Sequence, residues 1–123
     1  MRYSRGVTVS LQVLRTLEEL DAAIAASFSR PVIIFKHSST CGTSMMAHEE
    51  IDELLAGPPF DAGVYVLSVH ASRPVAQAIA SRFGVRHESP QVLVLRNGGV
   101  AWHASHFHVN VKEIRAALAR VAA

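Results

Sequence analysis

Strand-length apolar runs alternate with stretches of helical periodicity along this sequence, and that alternation constrains the fold more than any other feature. The clearest strand is Val32-Ile33-Ile34-Phe35, a continuous apolar run that is typical of a strand covered on both faces. One helical stretch precedes it and another follows it, so helices separate the neighbouring strands. Such alternation predicts an α/β protein with a mixed, partly parallel central sheet and helices on both of its faces.

We predict nine elements in the order β-α-β-α-β-α-β-β-α. The strands are expected at about Val7–Leu14, Val32–Phe35, Val64–Val69, Val92–Leu95 and Val100–Trp102. Signals that start a helix occur at Thr16 with Glu19, Ser72 with Pro74, and Asn110 with Glu113. Signals that end a helix occur at Pro31, Gly57-Pro58-Pro59 and Gly84. Asn97-Gly98-Gly99 predicts a hairpin between the last two strands. No repeat or linker divides the 123 residues, so one domain over residues 1–123 is expected.

The charges and the apolar runs limit the partners that the chain can have. Twelve basic residues oppose ten acidic ones, for a net charge of +2, and the arginines are scattered singly. A nucleic-acid-binding surface needs its cations on one face, so nucleic acid is not an expected partner. No apolar run is long enough to span a membrane, and the N-terminal residues show no apolar signal-peptide region. We therefore expect a cytoplasmic protein that does not bind membranes.

Cys41 is the only cysteine, which excludes an intrachain disulfide and a zinc site built from several thiolates. It follows a polar loop, Lys36–Thr40, and opens a helix that is predicted from about Cys41 to Leu55. A thiol in a first helical turn faces unpaired backbone N–H groups and the positive end of the helix dipole. Both lower the thiol pKa from about 8.5 and favour the nucleophilic thiolate.

The cysteine belongs to a C-x-x-S motif, Cys41-Gly42-Thr43-Ser44. Ser44 stands where a dithiol oxidoreductase has its second cysteine, and a serine cannot form a disulfide. An external thiol must therefore release any disulfide that forms on Cys41. His37 lies four residues before the cysteine. It either assists the thiolate or the leaving thiol as an imidazolium, or it packs in the loop on backbone partners.

Ser89-Pro90 directly precedes the strand that starts at Gln91. A trans proline at the first residue of a strand is one interpretation. The predicted order of elements, however, resembles the thioredoxin layout, in which this position carries a cis proline beside the active cysteine. In that layout the backbone of the preceding residue, here Ser89, pairs with an extended substrate. We therefore expect a cis Ser89-Pro90 bond in contact with Cys41.

Five sequence blocks extend this likeness to a family. They are Ile34-Phe35-Lys36-His37-Ser38, Thr40-Cys41 with Ser44, Arg73-Pro74, Gly84-Val85-Arg86-His87-Glu88-Ser89-Pro90-Gln91, and Trp102-His103-Ala104-Ser105-His106. In these blocks, which span roughly Pro31–Val109 and therefore most of the chain, the sequence resembles the YtxJ-like monothiol bacilliredoxins, thioredoxin-fold proteins of the bacillithiol redox system. The family usually has Cys-Pro-Ile-Ser at its motif, whereas this chain has Gly42 and Thr43 in the middle.

The resemblance implies that the protein removes bacillithiol from other proteins. Cys41 would attack the mixed disulfide, take up the bacillithiol and release the reduced protein. The reaction needs no metal and no bound cofactor, so bacillithiol is expected only as a co-substrate. Bacillithiol carries a malate group, and Arg73 at a predicted helix start is placed to pair with one of its carboxylates. Lys36 and Arg86 are weaker candidates that are equally well explained as surface cations.

The complete set of predicted site residues divides into two groups. The catalytic group is Cys41, His37 and Ser44, and the substrate-binding group is Thr40, Gly42, Thr43, Arg73, Ser89 and Pro90. The hydroxyl and N–H groups of the two threonines either complete the turn and the helix start or face the sulfur. The expected partners are bacillithiol and bacillithiolated proteins, and the chain is expected to be a monomer.

Two other functions remain compatible with the sequence. One is the same exchange with another low-molecular-weight thiol, such as glutathione. The other is a non-catalytic redox sensor or adaptor on a thioredoxin scaffold. The Gly42-Thr43 pair favours it, because the loss of proline at the helix start loosens that turn.

The H-x-x-H-x-H pattern of His103, His106 and His108 suggests a metal site, but in a strand only the last two histidines share a face. We therefore predict no metal site.

Overall fold

The computed structural model describes residues 11–38 and 42–122. Within these ranges the strands are β1 (Leu11–Val13), β2 (Val32–His37), β3 (Gly63–Ser68), β4 (Gln91–Arg96) and β5 (Gly99–Ser105). The helices are α1 (Leu17–Ala26), α2 (Gly42–Ala56), α3 (Arg73–Phe83) and α4 (Val111–Ala122), with a short 3-10 helix at His106–His108. The predicted order of strands and α-helices is confirmed.

The strands form one mixed sheet in the order β1-β3-β2-β4-β5. β3 runs parallel to β1 and β2, whereas β4 runs antiparallel to β2 and β5. The apolar run of β2 is fully buried because this strand has a hydrogen-bonded neighbour on each side and helices above and below. This central strand leads directly to the loop before α2, where the predicted site lies.

Successive residues of β2 point to opposite faces of the sheet, and each face has its own core. On one face, Ile33 and Phe35 pack with α2 and α4. On the other, Val32 and Ile34 pack with α1 and α3. Leu54 of α2 is completely buried in the first core, and burying such a side chain contributes about 1.5–3 kcal/mol. The two cores hold the ends of α2 and α3 on opposite sides of β2.

Two of the helix-capping signals in the sequence, at Thr16 and Asn110, act as predicted. Thr16 and Glu19 form a reciprocal capping box at the start of α1. At the start of α4, the side-chain oxygen of Asn110 accepts a hydrogen bond of 2.9 Å from the backbone N–H of Glu113. These bonds satisfy N–H groups that the first helical turn leaves without a partner.

The hairpin between β4 and β5 is also confirmed. Asn97 and Gly98 both have positive φ angles, 55° and 84°, as a two-residue hairpin turn requires. A Cβ atom on Gly98 would lie 2.6 Å from the ring of Phe28. Glycine is therefore needed at this position both for its backbone conformation and for the close approach of the ring. Phe28 remains largely exposed because it covers the turn from outside.

Several boundaries differ from the sequence prediction. β2 continues through Lys36 and His37, which the sequence places in a loop, because their backbones pair with neighbouring strands. α1 ends at Ala26, well before Pro31. At this end of the helix the Ser27 hydroxyl donates a hydrogen bond to the carbonyl of Ile24. β5 continues to Ser105, and the next three residues form the 3-10 helix instead of a strand. The start of the first predicted strand, residues 7–10, lies outside the described residues.

None of the described helices is both long enough and apolar enough to cross a bilayer.

Candidate active site

The predicted site surrounds the end of β2 and the start of α2. Two of its residues, Thr40 and Cys41, lie outside the described residues, so their roles remain predictions. Gly42 is the exposed first residue of α2, and a Cβ atom added there would meet no atom of the described residues within 4 Å, apart from its chain neighbours and its own helix backbone. Thr43 is half-buried and lines a groove beside the helix. The helix start next to the cysteine is therefore open to an approaching molecule.

Ser44 fastens the loop that enters the site. Its side chain is only 2% exposed, and its Oγ accepts a hydrogen bond of 3.1 Å from the backbone N–H of Ser38. The Ser38 hydroxyl lies 2.8 Å from Nε2 of His70, in the turn before α3. Ser38 thus joins α2 and the turn after β3 to the end of β2. The sequence motif identifies Ser44 as a replacement for cysteine but does not reveal this bond.

His37 sits among other rings on the α2 side of the sheet. Its ring stacks on Phe35 and meets His48 edge-on, each with a centroid distance of 5.6 Å. His48 in turn lies 3.3 Å from a carboxylate oxygen of Asp52. Burial, and then the nearby charge of His48, lower the pKa of His37 below its ordinary value of 6.5. The neutral imidazole is therefore favoured at pH 7, which weakens the prediction that His37 acts as an imidazolium.

Lys36 points to the opposite face and is fully buried, so the interpretation of it as a surface cation is wrong. Its ammonium donates a hydrogen bond of 2.8 Å to the side-chain oxygen of Gln91. Burial lowers the pKa of Lys36 to about 8, and the negative charge of Glu88 partly opposes this shift. The sequence gives no sign of this burial, because a single lysine after an apolar run also fits a loop.

The residues just before β4 form a compact segment that faces the end of β2. The predicted cis Ser89-Pro90 bond is confirmed, although its contact with Cys41 lies outside the described residues. Pro90 is buried, and its carbonyl accepts a hydrogen bond of 2.9 Å from the N–H of His106. The Ser89 hydroxyl oxygen is buried and has no hydrogen-bond partner among residues 11–38 and 42–122.

The segment and the start of α3 carry a group of basic side chains. Arg73 is the exposed first residue of α3, and His87 is exposed in the segment. The pKa of His87 is lowered by burial of its ring, then by the charges of Lys36 and Arg73, which therefore lie near it. Glu88 is the nearby counter-charge, and a hydrogen bond with Ser105 is the main cause of its lowered pKa. This side of the site is suited to an anionic group.

The other side of the site carries exposed apolar residues. Met45, Met46 and Phe107 are 65%, 55% and 71% exposed. Met46 and Phe107 line a groove of about 230 Å³ between α2 and the 3-10 helix, with Glu49 and Glu50 on its rim. Glu50 also accepts a hydrogen bond from the N–H of Val111 at the start of α4. The groove was invisible to sequence reasoning because two distant segments form it.

Two histidines of the H-x-x-H-x-H pattern, His106 and His108, lie beside different carboxylates. Nε2 of His106 is 3.8 Å from a Glu88 carboxylate oxygen, and His108 is 3.1 Å from Glu113. Among residues 11–38 and 42–122, no group of three His, Cys, Asp or Glu side chains is arranged to hold a metal ion.

Comparisons with known proteins agree with this architecture. The sequence model of the family described as monothiol bacilliredoxin BrxC matches residues 12–114. A solved structure described as a proposed oxidoreductase with a thioredoxin fold is 29% identical, with a TM-score of 0.78 over 87% of this chain and 92% of that one. Thioredoxin from Malassezia sympodialis is 17% identical, with a TM-score of 0.73 over 100% of both chains. A mutant thioredoxin from Halobacterium salinarum is 19% identical, with a TM-score of 0.71 over 91% of this chain and 90% of that one. The chain therefore has a thioredoxin fold.

Proposed function

Because this chain belongs to the monothiol bacilliredoxin BrxC family, whose model covers residues 12–114, we propose that it removes bacillithiol from protein mixed disulfides through Cys41. At the coarser level the chain is a monothiol redox protein with a thioredoxin-type oxidoreductase fold. The family match carries the proposal because it includes both the cysteine motif and the Ser89-Pro90 segment. The groups around the described part of the site support it.

The proposed reaction is two successive thiol–disulfide exchanges. The Cys41 thiolate attacks the bacillithiol sulfur of the mixed disulfide, so that a bond forms between those two sulfurs. The disulfide bond to the client protein breaks, and the client cysteine leaves as a thiolate that takes a proton from solvent. A second bacillithiol thiolate then attacks the bacillithiol sulfur on Cys41. This step yields oxidised bacillithiol and restores the Cys41 thiolate, so no metal or bound cofactor takes part.

The two sides of the site suit the two halves of such a substrate. Arg73, with His87 and buried Lys36 near it, provides positive charge for the carboxylates of the malate group. Met45, Met46 and Phe107 provide apolar surface for the client polypeptide. In the sequence, Gly42 and Thr43 directly follow Cys41 and directly precede Ser44 and the two methionines. We also propose a monomer that acts in the cytoplasm, where small thiols are kept reduced.

Intact-mass measurement tests the reaction directly. Wild-type protein incubated with a bacillithiolated client should gain one bacillithiol per chain, because Ser44 cannot resolve the adduct. Cys41→Ser should gain none, since the chain has no other cysteine. Added bacillithiol should then remove the adduct from the wild type. Failure of the wild type to form the adduct would contradict the proposal.

The choice of small thiol is tested by comparing bacillithiolated and glutathionylated forms of one client. Arg73→Ala should reduce the preference for bacillithiol by about 1–3 kcal/mol if the contact is charge-assisted. Arg120→Ala, which removes an exposed arginine from α4, is the matched control and should leave the preference unchanged. Equal rates for both clients in the wild type, with no effect of Arg73→Ala, would leave only a general monothiol oxidoreductase.

A further inference from the structure

Lys36 and Gln91 form a buried polar pair at the end of the pairing between β2 and β4. Lys36 has no exposed surface and Gln91 is 1% exposed. The two residues are cross-strand partners in the antiparallel pairing of β2 with β4. Their side chains are joined by the 2.8 Å hydrogen bond from the ammonium to the amide oxygen. A charge in such a place is costly unless it has an essential partner, which raises the question of what the pair does.

Gln91 uses both ends of its amide. Since an ammonium only donates, the amide oxygen must face Lys36, and the NH₂ group must face the other way. There it donates to the carbonyl of Arg86 at 3.0 Å and to the hydroxyl of Ser105 at 3.3 Å. The first bond closes the chain between residues 86 and 91 into a ring. The second fastens that ring to the end of β5.

The ring contains Ser89 and Pro90, two of the predicted substrate-binding residues. Glu88, Ser89 and Pro90 all lie between its two ends. The Pro90 carbonyl and Ser105 are held by neighbouring groups, as described above. Lys36 does not need to touch the substrate to affect these residues. Lys36 fixes the orientation of the Gln91 amide, and that amide holds residues 86–91 in place through its bonds to Arg86 and Ser105.

We propose that Lys36 is a positioning residue, which acts through the Gln91 amide to hold the Arg86–Gln91 segment in the shape that receives the mixed disulfide. The inference rests on the proposed function for its substrate, but the contact network itself is independent of that function. It predicts a defect in substrate binding rather than in the reactivity of the thiol.

A double-mutant cycle tests whether the two residues act as a unit. Lys36→Met and Gln91→Met keep side chains of similar length and bulk in the sheet. Each should raise KM for a bacillithiolated client about tenfold, as expected for loss of a buried hydrogen bond to a charged group. The double variant should be no worse than either single variant, because the same link is already broken. Lys112→Met, which removes the only other lysine, is the control and should leave KM unchanged.

The cycle also separates positioning from two other roles. The rate of Cys41 alkylation by iodoacetamide, and its dependence on pH, should stay within about twofold of wild type in all variants. A shifted pH dependence would mean that Lys36 acts on the thiol itself and would overturn the proposal. Additive KM effects, or no KM effect, would overturn it as well.

A measurement without those variants covers the case in which they fail to fold. In Cys41→Ser, which removes the thiol titration, the nitrogen resonances of the Gln91 side-chain amide and the Glu88 backbone amide should titrate together near pH 8. Among the described residues, the other titratable groups that interact with Lys36 are Glu88 and His87, whose lowered pKa values put their titration well below this range. If the segment stays unperturbed while Lys36 titrates, the proposal fails even if the exchange reaction is established. If the exchange reaction is absent but the resonances move together, only the proposed function fails.

Discussion

The last two residues of β2, Lys36 and His37, are bases that lie on opposite faces of the sheet. Burial lowers the pKa of both, but it leaves the lysine charged and the histidine neutral at pH 7. His37 packs against rings on the α2 face, whereas Lys36 donates to Gln91 on the α3 face. Burial is the main cause of a lowered pKa in both. Because lysine starts from 10.5, its lowered value of about 8 still leaves about 90% of it charged at pH 7. Histidine starts from 6.5, so the same effect leaves His37 mostly neutral.

This difference in charge distinguishes the α3 side of the site from the α2 side. The α3 side keeps a buried cation beside Arg73 and His87. The α2 side has neutral rings at its base, exposed methionines, and carboxylates at the rim of its groove. Two neighbouring residues of one strand therefore separate a basic side from an apolar side. Three measurements test how far this comparison holds.

The largest expected effect is on the pH dependence of stability. Between pH 8 and 10.5 an unfolded chain keeps the Lys36 proton while the folded protein has lost it, so the free energy of unfolding must rise with pH. Relative to Lys36→Met, the wild type should gain about 1.4 kcal/mol per pH unit, or about 3 kcal/mol over this range. Urea unfolding of both proteins at a series of pH values measures the difference.

Other titrating groups cancel in that difference because both proteins share them. Lys112→Met provides the control, since its lysine is exposed and no comparable rise is expected. A flat difference between pH 8 and 10.5 would show that the ammonium is not destabilised by burial. The contrast between the two faces of β2 would then disappear.

A smaller effect is expected at the junction of the two faces. Ser44→Ala removes the acceptor for the buried N–H of Ser38 and should lower the free energy of unfolding by about 1–3 kcal/mol. Adduct formation on Cys41 should be largely retained, because a serine hydroxyl is neither nucleophile nor leaving group in the exchange. Urea unfolding and intact-mass kinetics measure these two properties.

Ser81→Ala, at an exposed position of α3, is the control for the loss of a hydroxyl group. Unchanged stability of Ser44→Ala would mean that another partner replaces the serine at the N–H of Ser38. Ser44 would then not fasten the loop, and the junction would be looser than the hydrogen bond indicates.

The smallest effect is expected on the His37 ring. His48→Gln removes the neighbouring charge that contributes to the lowered pKa of His37, so that pKa should rise. The Cε1–H resonance of His37, followed by NMR against pH, reports its midpoint. A midpoint that stays or falls in this variant would leave burial as the whole cause of the shift.

Most of the architecture could be predicted because its signals are local. Capping residues at Thr16 and Asn110, the Asn97-Gly98 turn and the apolar run of β2 each depend on a few neighbouring residues. The two halves of the predicted site could also be recognised from their motifs. These signals are short-range hydrogen bonds, backbone preferences and periodicity, which a single sequence displays directly.

The remaining features depend on residues that are far apart in the chain. Lys36 and Gln91 are 55 positions apart, and only the pairing of β2 with β4 makes a buried ammonium tolerable. The bond between Ser38 and His70 spans 32 positions. The capping of Val111 by Glu50 spans 61. A polar residue in sequence reads as a surface residue until its distant partner is known.

The position of β2 within the sheet has a further consequence for how the molecule fluctuates. Local opening begins where few buried contacts hold the chain, and here that place is β1, a three-residue edge strand whose residues are all exposed. We therefore expect amide hydrogens of Leu11–Val13 to exchange with solvent long before those of β2. Fraying at that edge leaves the central strand, and the Ser38 and Lys36 attachments on it, in place. Local opening of β1 is therefore independent of the residues at the end of β2, and the edge strand can open briefly while the site keeps its structure.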